Sequence, residues 1–160
     1  MIERPTQRIA VILERVSVQS RWEDHTWQLA GVVPDVGGEP RDLVRDEALR
    51  QRIFPGFEVT LFQDEAEGYF LNAESPDPSA FISIRNDEAS GEPYPFMATL
   101  SYNEAARRMD GGERVERASL WPEIAAWLAG WVEENYKPEP KKRQRPKSFE
   151  GKEGRLRGRG

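Results

Sequence analysis

Apolar residues near the start of the chain fall on alternate positions. Ile9, Val11 and Leu13 alternate with Ala10, Ile12 and Glu14, the period of a strand with one wholly apolar face. Trp27 to Val33 reads as a second strand, ended by Pro34, Gly37 and Gly38. The polar stretch Gln19 to Thr26 joins the two as an antiparallel pair. Residues 34–56 are less regular: the pattern predicts a short helix over Asp42 to Arg50, and Pro55-Gly56 is expected to stop regular structure. Phe57, Val59 and Leu61 then alternate with Glu58 and Thr60, and Tyr69 to Leu71 follows. These two runs read as a hairpin with the loop Asp64-Glu65-Ala66-Glu67-Gly68, in which Gly68 supplies a positive φ. Further strands are expected over Ala80 to Arg85, Phe96 to Leu100 and Arg114 to Leu120.

Two helices interrupt this pattern. Ser101-Tyr102-Asn103-Glu104 has the spacing of a capping box, and its helix is expected to stop at Gly111-Gly112. In the last element, Pro122 suits the first helical turn and Glu123 complements the positive helix end. Ile124, Trp127, Leu128 and Trp131 fall at i, i+3, i+4 and i+7, so a helix from about Pro122 to Asn135 is expected to lay an aromatic stripe on the sheet. Short polar connections favour antiparallel pairing over βαβ units. The fold class expected is α+β: a mainly antiparallel sheet of five to seven strands (meander, sandwich or barrel-like) with a C-terminal amphipathic helix packed on it.

Charge divides the chain. Residues 137–160 hold ten basic and three acidic residues, a net of +7, whereas residues 1–136 hold 13 arginines against 25 carboxylates, a net of −12. All five lysines lie beyond Tyr136. Only Phe149 and Leu156 in that tail are candidates for burial, too little to offset ordering about 24 residues at roughly 1–2 kcal/mol each. A single globular domain over 1–136 and a disordered basic tail over 137–160 are therefore expected. The tail has two partners available, an acidic surface elsewhere or the body itself, and contact with either is expected to be loose and salt-sensitive.

Composition removes several classes of function. No apolar run approaches the roughly 18 residues of a membrane span, and no signal-peptide core is evident, so a soluble cytoplasmic protein is expected. Zero cysteines exclude disulfides, thiolate zinc sites, iron–sulfur clusters and a cysteine nucleophile. The acidic body opposes nucleic-acid binding, because it repels phosphate. Gly37-Gly38 and Gly111-Gly112 lack the frame of a phosphate-binding loop, and no serine lies in GxSxG. The acidic stretch Gln63 to Pro78 lacks the calcium-loop pattern. The densest polar–aromatic run is Ser20-Arg21-Trp22-Glu23-Asp24-His25-Thr26-Trp27, with the single histidine beside a carboxylate. His beside Asp suits general-base chemistry, but sequence neighbours on a strand point to opposite faces, and no HxH or HExxH spacing offers a metal site. A hydrogen-bonded loop with tryptophan anchors at Trp22 and Trp27 is the favoured reading.

Three further features go together: Leu13-Glu14-Arg15, the block from Ser20 to Trp27, and Gly31-Val32-Val33-Pro34. Later blocks are Glu65-Ala66-Glu67-Gly68-Tyr69-Phe70-Leu71-Asn72 with Glu74-Ser75-Pro76, then Glu104-Ala105, Asp110-Gly111-Gly112-Glu113, Val115-Glu116 and Ala126-Trp127-Leu128. In these blocks the chain resembles a small bacterial family catalogued as domain of unknown function 3305. The resemblance implies genomic association with molybdenum-dependent formate dehydrogenases and their accessory factors. Some members are labelled as molybdenum-cofactor guanylyltransferases, but this chain is too short for that α/β fold and lacks a basic, glycine-rich nucleotide loop. The resemblance assigns no catalytic residue, metal or cofactor.

The function expected is a non-enzymatic accessory or binding protein for assembly, cofactor insertion or regulation of such a formate dehydrogenase. Its partner would be an enzyme subunit or a maturation factor. Recognition is expected at Arg21, Trp22, Asp24, His25, Trp27, Glu67, Tyr69 and Asn72. The alternative is a small enzyme or ligand-binding domain that uses Arg21, Asp24 and His25 between Trp22 and Trp27. Convergence of Arg21, His25 and several carboxylates in a concave pocket favours the alternative, and dispersal over a convex surface favours the binding protein.

Overall fold

A computed structural model of the protein describes residues 3–17 and 25–138. Strands β1 (Thr6–Ser17) and β2 (His25–Pro34) form the expected antiparallel pair, in register from Ile9 opposite Pro34 to Ser17 opposite His25. Strands β3 (Arg41–Arg45) and β4 (Leu49–Thr60) form a second pair, and β4 lies along the other side of β1. The first sheet therefore has the order β2-β1-β4-β3, with β1 inside it. After β4 come a 3-10 turn (Gln63–Glu65) and helix α1 (Ala66–Ala73). Strands β5 (Ser79–Asn86) and β6 (Pro93–Thr99), helix α2 (Tyr102–Asp110) and β7 (Arg114–Ser119) build a second antiparallel sheet of order β6-β5-β7. Helix α3 (Pro122–Asn135) completes the described chain. The fold is α+β with two antiparallel sheets, seven strands, and no closed barrel.

Three readings of the sequence need correction. Over Asp42 to Arg50, where a helix is expected, the chain instead forms most of β3, a turn at 46–48 and the start of β4. The Asp46 carboxylate accepts the N–H groups of Ala48 and Leu49, both at 2.9 Å, and the Asp46 N–H donates to the Leu49 carbonyl at 2.9 Å, which closes a hairpin turn in place of a helix. Pro55-Gly56 does not end β4, because it sits where the β1–β4 register shifts between Ile9 and Val11. At such a bulge the missing proline N–H goes unused, Gly56 adopts φ +89°, and its own N–H is taken by Asp35 at 2.8 Å. Finally, the hairpin expected from Phe57 to Leu71 is one strand followed by a helix. Ala66, Tyr69 and Ala73 lie at i, i+3 and i+7, a helical spacing that outweighs the short alternation at Tyr69 to Leu71.

The core lies between the two sheets. Ile9, Val11 and Leu13 of β1 face Ala80, Ile82 and Ile84 of β5 within one buried cluster. Helix α3 closes it with Ile124, Leu128 and Val132, one residue per turn. Val132 holds the place expected for Trp131, and Trp127 and Trp131 flank the stripe half-buried. Among the described residues, no helix is long and apolar enough to cross a membrane.

Leu128 is fully buried, so Leu128→Ala is expected to lower stability by about 2–5 kcal/mol. Trp131→Ala should fall at or below the lower end of the roughly 3–5 kcal/mol typical of buried tryptophan, because its ring is partly exposed beside the stripe. Urea unfolding of both variants checks the order; a larger loss at Trp131 would mean the helix face is misassigned.

Candidate functional site

Helix α1 carries three of the expected recognition residues, and two of them are buried in structural roles. Asn72, 1 % exposed, uses its whole amide: Nδ2 donates to the carbonyls of Ser79 (2.8 Å) and Leu100 (2.9 Å), and Oδ1 accepts the Ser79 N–H (2.9 Å). The Tyr69 hydroxyl donates to the Thr60 carbonyl at 3.2 Å and accepts the Phe62 N–H at 3.0 Å, while its ring stands edge-on to Trp131. Glu67 is exposed and accepts a long hydrogen bond from Asn103 at 3.4 Å.

Gly68 faces the start of α2. A Cβ there would lie 2.1 Å from Ser101 Oγ and 3.0 Å from the Asn103 nitrogen, so the glycine serves close approach and not a positive φ. Ser101 caps α2 as expected, accepting the Glu104 N–H at 3.0 Å. Its hydroxyl donates at 2.6 Å to Glu65, which also holds Arg107. The return half of the capping box runs through Thr99: the Ser101 N–H donates to the Thr99 hydroxyl, which donates to Glu104.

Of the other candidate block, the described part lies at the start of β2, paired with the end of β1. Arg21, Trp22 and Asp24 lie outside the described residues. Of His25 the backbone alone is described, opposite Ser17, so the expected Arg21–Asp24–His25 cluster is not placed. Trp27 is described and half-buried. Cross-strand register sets Trp27 opposite Arg15, Arg15 opposite Arg50, and Arg50 opposite Arg45, a row running across all four strands. The guanidinium groups of Arg15 and Arg50 lie 5.9 and 5.6 Å from the Trp27 ring centre.

Carboxylates hold this row in place. Asp42 meets Arg45 at 2.7 Å, Arg52 at 3.0 Å and Arg50 at 3.3 Å, and Arg50 also reaches Glu92 at 3.2 Å. Burial pushes the Asp42 pKa up, but the guanidinium groups of Arg52, Arg50 and Arg45 outweigh it and hold the carboxyl below its ordinary 3.8. On the facing sheet, Glu116 accepts the Leu29 N–H at 2.9 Å and Arg114 donates to the Trp27 carbonyl at 2.9 Å. Sequence reading singled out Trp27 but missed Arg15, Arg45 and Arg50. Their alignment depends on the β1–β4 and β3–β4 pairings, which the helix expected over Asp42 to Arg50 concealed. Among the described residues, no three His, Asp or Glu side chains form a metal-binding group.

Gly68→Ala is expected to destabilise by about 1–3 kcal/mol through overpacking against Ser101, although alanine favours a helix by about 1 kcal/mol. A more stable variant in urea titration would show that α1 and α2 can separate freely. Burial raises the Tyr69 hydroxyl from 10 to about 12. Its folded pKa exceeds the unfolded one, so its contribution is complete below pH 10 and is lost as pH rises towards 12, by about 2 kcal/mol. Stability measured across that range should fall in the wild type and fall less in Tyr69→Phe.

No curated protein and no solved structure matches the chain. The family described as protein of unknown function DUF3305 matches residues 8–145, which takes in both sheets, all three helices and the first basic residues after α3. On that match, the chain belongs to this family.

Proposed function

We propose that the protein is a non-enzymatic binding partner whose recognition surface is the end of the sandwich around Trp27. The row Trp27–Arg15–Arg50–Arg45 carries this reading. Asp42 and Glu92 offset the like charges of Arg45 and Arg50 that would otherwise weaken the sheet, so the row is held as an ordered arginine–tryptophan surface. Arginine and tryptophan are the residues that most often dominate protein interfaces. The row begins at Trp27, the last residue of the family-like block, whereas Tyr69 and Asn72 of the other block are occupied within the fold. The genomic association implied by the family supports the partner: a subunit of a molybdenum-dependent formate dehydrogenase or its maturation factor, bound for assembly, cofactor insertion or regulation.

Purified subunits and maturation factors of that enzyme should bind the wild-type protein in calorimetry. Arg15→Glu combined with Arg45→Glu is expected to weaken binding at least tenfold, about 1.4 kcal/mol, with an unchanged circular dichroism spectrum. Trp27→Ala should weaken it similarly. Failure to bind any of these proteins removes the partner assignment, and full binding by the variants removes the surface.

A further inference from the structure

A groove of about 540 Å³ runs between the C-terminal ends of α1 and α3. Phe70, Ala73, Val132 and Tyr136 line it with apolar surface, and Glu74 and Glu133 stand at its sides. Phe70 and Tyr136 pack ring to ring across it, with centroids 5.1 Å apart. Two negative helix ends converge here, and neither has a basic residue in its last turn. Glu133 and Glu134 close α3, and Glu74 caps α1, so carboxylates lie where helices favour cations. Such a groove selects a basic occupant whose aliphatic side-chain stems can lie on its apolar floor.

That occupant is attached to the groove. Lys137 and Pro138 form part of its lining, so the chain continues from inside it. The next seven residues are Glu139-Pro140-Lys141-Lys142-Arg143-Gln144-Arg145, with four basic side chains and one acidic. Extended at about 3.3 Å per residue they reach roughly 23 Å, whereas the eight residues of α1 span about 12 Å. Proline at 138 and 140 favours the extended backbone that a groove requires. The family match also runs to residue 145, so this basic run belongs to the family's domain. We propose that residues 139–145 dock in this chain's own α1–α3 groove, with Lys141, Lys142 and Arg143 against Glu74 and Glu133. Direct attachment gives the segment a high effective concentration, so weak, salt-screened contacts suffice. The inference is independent of the binding surface around Trp27.

The chain has no cysteine, so Ser148→Cys in the full-length protein accepts one nitroxide label without ambiguity. In low salt, the amide signals of Ala73, Glu74, Val132 and Glu133 should broaden at least twofold relative to the reduced label. They should recover in about 0.5 M salt, where screening is short-ranged. Glu74 and Glu133 are exposed, so Glu74→Lys with Glu133→Lys should keep the fold and abolish the broadening. Lys141→Glu with Lys142→Glu should do the same. Absent broadening, equal broadening at the acidic β5–β6 turn, or persistence in either double variant overturns the proposal. So does broadening that arises only between labelled and unlabelled chains, which assigns the groove to a second copy.

Discussion

One side-chain amide sets the relation between the two halves of the molecule. Asn72 on α1 binds the first residue of β5 through both its N–H and its carbonyl, and binds the Leu100 carbonyl just past β6. Those backbone groups lie in the interior, where an unmet hydrogen bond is destabilising by about 1–3 kcal/mol each. One asparagine supplies the two donors and the acceptor they require. Tyr69, one helical turn earlier, does the same for the end of β4. The short helix α1 thus ties the first sheet to the second, and the contact of Gly68 with Ser101 fixes its distance from α2.

Elements whose local pattern agreed with their packing were legible in the chain. The helix from Pro122 to Asn135, the capped helix at Ser101 and the β1–β2 pair all appear where periodicity and capping residues place them. The misread elements are those where a tertiary contact decides. A proline–glycine pair ends a strand unless a bulge absorbs it, and the bulge exists because β1 shifts register at Ile9. A glycine after an acidic loop suggests a hairpin unless a neighbouring helix needs the space of its missing side chain, as Ser101 does beside Gly68.

The candidate site was legible only in part for the same reason. Trp27 stood out in a dense aromatic and polar block, yet Arg15, Arg45 and Arg50 lie 12 to 23 positions away from it in sequence, two of them around a misread turn. Nothing local marks an arginine as one of three in register. Asn72 and Tyr69 were expected at the recognition surface, whereas the fold buries both and uses their polar groups for its own backbone.

The sheets are also shielded at their margins. Strand edges carry free amide and carbonyl groups that recruit strands from other molecules. Here the β2 edge and the β7 edge answer one another through side chains, with Glu116 taking the Leu29 N–H and Arg114 taking the Trp27 carbonyl. At the other margin of the second sheet, Pro93 and Pro95 withhold donors from β6. The outer edge of the first sheet is β3, only five residues long and bounded by Arg41 and Arg45. Two ion-bearing side chains, two prolines and a short charged strand therefore keep a β-rich chain from adding copies of itself edge to edge, and leave its association to be governed by side chains.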